Sequence, residues 1–259
     1  ACGLICVFDR QITLGVWRMF IEHKALSSFL PHVREYVIKG LNEIKTPGSK
    51  FNASALEMYA ADVLERVGEL DSSLKSLRMA MNFIMDLKQV DKDATDVYRY
   101  HYENFLLRLT GTVDRAYRLV GTSLQLDPAR YERLGGNRFV SDHVSSGFPT
   151  LHSCLQSMDA IAAKHKGPRN EVAHSKAFST RELGLLFSAE FLQLQDEEKG
   201  RIVELTKDYF SEGVAELAVV IADVVRAVDN LLAALESIYE HVCKRTPHPS
   251  LQRTTFGSR

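Results

Sequence analysis

Apolar residues recur at three- and four-residue steps through most of the chain. The strongest run is Leu56, Tyr59, Val63, Val67, Leu70, Leu74, Leu77, Met81, Ile84 and Leu87. That spacing holds side chains on one face of a 3.6-residue helix, so it predicts a single helix of roughly eight turns or more. Thr46-Pro47-Gly48-Ser49 breaks the chain before it, and Asn52 or Ser54 is placed to cap it. Gly68, inside the stripe, is expected to mark a close helix crossing or a kink.

A second helix is predicted from about residues 93–96 to 126, on Val97, Tyr98, Tyr102, Phe105, Leu106, Leu109, Val113, Tyr117, Val120 and Leu124. Asp127-Pro128 ends it, and residues 134–149, rich in Gly and Ser, are expected to be a turn-rich connection. A third helix follows over about residues 150–166 through Leu151, Leu155, Met158 and Ile161. Residues 183–194 predict a short apolar helix. Asp196-Glu197-Glu198 then opens a last long helix, its acids at the positive end of the helix dipole. Its apolar face, from Ile202 to Val242, is broad enough for a central helix or a subunit interface.

Before residue 51 the pattern is helical but broken. Trp17, Phe20 and Ile21 share one face, and Pro31 starts a second piece through Val33, Tyr36, Val37 and Leu41. No strand alternation and no fixed repeat is present. The prediction is an all-α fold, an up-down bundle of four principal helices with accessory N-terminal helices. Residues 1–50 are expected to form a helical extension, 51–244 the bundle, and 245–259, with Pro247 and Pro249, a disordered tail.

Composition bounds the function. The 259 residues are 45% hydrophobic and 25% charged, ordinary globular values; 32 Lys plus Arg against 33 Asp plus Glu give a net charge of −1, so a polyanion has to be met by a local patch. Cys2, Cys6, Cys154 and Cys243 lack ligand spacing, which points to free thiols in a cytoplasmic setting and to no metal or other cofactor. No apolar run is long enough to span a bilayer, and no membrane partner is expected. The apolar start, Ala1 to Phe8, has no basic segment before it and reads as a packed start rather than a secretion signal, with Met19 as an alternative beginning.

Nucleotide-binding glycine loops, HExxH and GxSxG are absent from the sequence. What remains is Gly167-Pro168-Arg169-Asn170-Glu171-Val172-Ala173-His174. Gly-Pro followed by polar residues predicts a helix start with Pro168 at its first position. Asn170 and His174 then stand four apart on one face, and the arm of Arg169 reaches back over the first turn. Lys164 and Lys166 add positive charge beside them. Cleavage of RNA by its own 2′-hydroxyl needs a proton acceptor, a proton donor and a cation over the phosphorane, and no metal. Histidine, titrating near neutrality, suits proton transfer; arginine suits the phosphate; asparagine can orient either. One histidine cannot easily serve both proton transfers, but two copies facing across a dimer could. Upstream, Tyr98-Arg99-Tyr100-His101-Tyr102 interleaves aromatics and cations, and Tyr102 is the candidate for stacking on a base. Tyrosines at 98, 100 and 102 cannot all face one way, so at least one is expected to be exposed.

Arg169-Asn170-Glu171-Val172-Ala173-His174 in an all-α chain resembles the Arg-x4-His signature of the HEPN superfamily (higher eukaryotes and prokaryotes nucleotide-binding). The resemblance spans the predicted bundle but rests on six residues. Some relatives carry a tyrosine two after the histidine, where Lys176 stands here. The resemblance implies a helical bundle, usually a homodimer with the two motifs in one cleft, and metal-independent endoribonuclease action of the kind found in toxins, paired with antitoxins, and in antiviral defence. It implies catalytic roles for Arg169, Asn170 and His174, with RNA as partner. The alternatives are a non-catalytic helical module binding nucleotide, RNA or protein, and a metal-dependent hydrolase.

Overall fold

The computed structural model describes residues 19–45, 51–88, 93–174 and 177–245; within them the side chains of Glu171 and His174 are not described. The apolar start up to residue 18 and the segment 246–259, expected to be a tail, lie outside these residues. The described chain is all-α, with no strand. Two 3-10 turns, Phe20–Glu22 and Lys24–Phe29, lead into α1 (Leu30–Lys45), and then α2 (Ala55–Met85) and α3 (Ala94–Ser123). The short α4 (Pro128–Tyr131) and α5 (Gly136–Gly147) follow, then α6 (Pro149–Ala163), α7 (Lys166–His174), α8 (Arg181–Ala189) and α9 (Asp196–Arg245).

Helices α2, α3, α6 and α9 are the four principal elements. Helix α2 packs along α3, and α9 lies against α6, α2, the second 3-10 turn, α3 and α8. These many neighbours account for the broad apolar face of α9: Leu217, Val224, Val228, Leu231, Leu232 and Leu235 are all buried. No helix among the described residues is long and apolar enough to cross a membrane.

Local chemistry sets the boundaries. Ser54 starts α2 through a capping box: its hydroxyl accepts from Glu57 N at 3.2 Å, and Glu57 Oε2 accepts from Ser54 N at 2.8 Å. The same carboxylate takes Lys39 Nζ at 2.7 Å, tying α1 to α2. Helix α3 ends where Gln125 adopts a left-handed φ of 53° and Leu126 N reaches back to Gly121 O at 2.9 Å, a closure that satisfies a terminal carbonyl. Asp127 then caps α4 rather than ending α3, accepting from Ala129 N at 3.0 Å.

Two expectations are corrected. Residues 136–147 are helical rather than a turn-rich connection, with Val140 and Val144 buried four apart. Gly68 marks no close crossing, since a Cβ added there would meet nothing within 4 Å. Gly68→Ala is therefore expected to stabilise the protein by about 0.5–1 kcal/mol, because alanine loses less conformational freedom in a helix. Thermal melting checks this, and a lowered midpoint would refute it.

The described N-terminal residues share the bundle core. Phe20, Ala25, Leu26 and Phe29 are buried in it. Asp71 of α2, itself 9% exposed, accepts from Phe20 N at 2.8 Å and Ile21 N at 3.0 Å, satisfying the first two donors of the first 3-10 turn, whose third, Glu22 N, bonds to Met19 O.

Candidate functional site

The motif helix α7 is short because proline interrupts a longer one. Pro168 has no N–H to offer the carbonyl four residues back, Lys164, and its ring collides with that carbonyl. Helix α6 accordingly stops at Ala163, and α7 resumes at Lys166, two residues ahead of the expected start at Pro168. Regular bonding returns at Arg169, whose N donates to His165 O at 3.0 Å.

Both flanks of α7 are fastened to the bundle. On the N-terminal side His165 is 8% exposed, with Nδ1 3.7 Å from Glu216 Oε1 on α9; the other oxygen, Oε2, accepts from Tyr102 Oη of α3 at 3.2 Å. On the C-terminal side Phe178 N donates to Glu103 of α3, and the Phe178 ring stacks on Tyr102 with centroids 4.4 Å apart. Helix α7 itself packs on α3, with Val172 half-buried against the core. The Tyr102 phenol is held protonated well above its usual range, by burial first and then by the Glu216 carboxylate.

Arg169 and Asn170 sit half-buried on this fastened segment, and Arg169 Nη1 donates to Asn170 Oδ1 at 3.0 Å. The amide thus orients the guanidinium. Arg169 Nε is buried with no acceptor, and among the described side chains no carboxylate pairs with the guanidinium. A cation in this state has donors to spare for a phosphate oxygen. His174 closes α7, four residues after Asn170 along the same helix, and its side chain is outside the described residues. Lys164 and Lys166 are exposed beside the α6–α7 turn. Among the described residues no group of three His, Cys, Asp or Glu is placed to hold a metal ion.

Tyr102 does not stand where base stacking requires it. It is 5% exposed, and its ring packs between Phe178 and Tyr98, the latter at 5.8 Å. Its helical position explains this, because 98, 102, 105, 106 and 109 form the buried face of α3. The outward tyrosine is Tyr100, 64% exposed. The His165–Glu216–Tyr102 linkage was not foreseen; Tyr102 and Glu216 are 114 positions apart, and no local spacing signals their meeting. The sequence matches no family model, and neither curated proteins nor solved structures give a match.

Proposed function

We propose that this chain is a metal-independent endoribonuclease of HEPN type, acting as a homodimer with a composite site. The observation that carries the reading is the half-buried Arg169 guanidinium, its Nε buried without an acceptor and its fork oriented by Asn170 on a helix that ends at His174. In this scheme the Arg169 fork binds the scissile phosphate and offsets the charge of the phosphorane. Asn170 keeps the fork in register. A histidine takes the proton of the 2′-hydroxyl as its oxygen bonds to phosphorus, and the His174 of a second copy donates a proton to the departing 5′-oxygen. The products are a 2′,3′-cyclic phosphate and a 5′-hydroxyl. Water and metal take no part in this step.

Digestion of a panel of single-stranded RNAs in excess EDTA tests the reading, with wild type, Arg169→Ala and His174→Ala side by side. The expected result is wild-type cleavage indifferent to EDTA, cyclic-phosphate ends, and a fall of about 10²–10³ in kcat for Arg169→Ala, the usual cost of removing one transition-state donor. His174→Ala is expected to abolish detectable cleavage. Wild-type inactivity across the panel would instead favour a non-catalytic binding module, and activity lost to EDTA would favour a metal-dependent hydrolase. Full activity from a protein that light scattering shows to be monomeric would end the composite-site part of the proposal.

A further inference from the structure

The outward face of the α2–α3 pair carries a cleft of about 220 Å³ that shares no residue with α7. Its two ends differ in chemistry. At one end Phe83 and His101 stack with centroids 4.6 Å apart and planes 16° apart, and Tyr100 stands edge-on to His101 at 5.1 Å. Phe83 is 50% and Tyr100 64% exposed, so aromatic surface is presented to solvent, with Met79 completing the apolar wall. The His101 Nδ1 atom is buried without a partner, and burial pushes the imidazole below its ordinary pKa, which keeps the stack neutral near pH 7.

The other end is made of donors. Arg108 Nε donates to Asn104 Oδ1 at 2.8 Å, which fixes both side chains. The Asn104 amide nitrogen and the two terminal nitrogens of Arg108 have no partner among the described residues, and no carboxylate lines the cleft. A ligand here has to bring a flat ring to one end and acceptors carrying negative charge to the other. One guanidinium fork suits a phosphate that is also anchored through its base, whereas phosphotyrosine recognition is built on a cluster of arginines.

We propose that this cleft binds an unpaired nucleobase with its adjoining phosphate, the base against Phe83 and Tyr100 and the phosphate on Arg108, as in a single-stranded RNA. This assignment does not rest on the ribonuclease reading, because its residues lie on α2 and α3. The shared chemistry of base plus phosphate could also be met by a free mononucleotide.

Isothermal titration of the full chain with a 2′-O-methylated hexaadenylate, with AMP, and with a phosphotyrosine peptide separates the possibilities. The methylated strand cannot be cleaved by its own 2′-oxygen, so binding is read independently of catalysis. Binding of the hexamer, of AMP or of both is expected, weakened about tenfold or more by Phe83→Ala and by Arg108→Gln. Both side chains are largely exposed, and an unchanged circular dichroism melt confirms that the variants fold. Hexamer binding alone assigns the site to a strand, and comparable AMP binding assigns it to the mononucleotide. Absence of binding by both up to millimolar concentration overturns the proposal. So does equal binding by wild type and both variants, or capture of the phosphotyrosine peptide alone.

Discussion

Phe29→Ala is expected to destabilise the whole bundle by about 3–5 kcal/mol and to lower its melting midpoint by roughly 6–20 °C. Phe29 is fully buried, and its ring packs on Tyr59 at 5.6 Å and Tyr239 at 4.8 Å. Those two tyrosines belong to α2 and α9, and both bond to the C-terminal end of α3. Tyr59 Oη donates to Ser123 O at 2.7 Å, and Tyr239 Oη lies 2.8 Å from Ser123 Oγ. Burial raises the pKa of both phenols well above the ordinary tyrosine range, so they stay neutral and hydrogen-bonded. Removing the ring leaves a cavity beside two buried hydroxyl networks, and a large volume lost there cannot be refilled by one neighbour. The consequence is specific: one cooperative transition shifts as a unit. A separate early loss of the N-terminal segment, with the main midpoint unmoved, would show that residues 20–29 are an appendage rather than part of the core.

The long helices were legible because burial on one face imposes a period that sequence records directly. Leu56 through Ile84 and the buried residues of α9 follow that rule almost without interruption. Helix α5 was missed because Gly135 and Gly136 read as breakers and its apolar stripe is thin, with only Val140 and Val144 buried and Phe139 half-buried. The Arg169-Asn170 pair could be picked out because both residues fall within one turn of helix. Tyr102 misled for a related reason. An aromatic-rich run names several candidates, but only the helical phase against its neighbours decides which ring faces out, and here that is Tyr100. The ties that hold α7, from His165 to Glu216 and from Phe178 to Glu103, are long-range and leave no trace in local spacing.

The α4–α5 corner supplies the other large effect. Gly136→Ala is expected to cost about 2–3 kcal/mol, near the upper end for overpacking, and to lower the midpoint by roughly 4–12 °C. A Cβ at Gly136 would fall 2.0 Å from the carbonyl oxygen of Tyr131. That neighbour is backbone, so no rotamer change relieves the clash. Nor can Tyr131 retreat freely: its ring already abuts Gly121 of α3, where an added Cβ would be 2.8 Å away, and its hydroxyl lies 3.1 Å from Thr122 Oγ1. Pushing α4 off α5 therefore means pushing Tyr131 into α3. Gly135 provides the contrast. Its φ of 84° favours glycine, but a Cβ there would meet nothing within 4 Å, so Gly135→Ala adds backbone strain of about 1 kcal/mol and no collision. Melting of the two variants in parallel distinguishes the causes. Equal losses would assign the corner to backbone conformation alone, while the larger loss at 136 assigns it to the close approach of two helices through Tyr131.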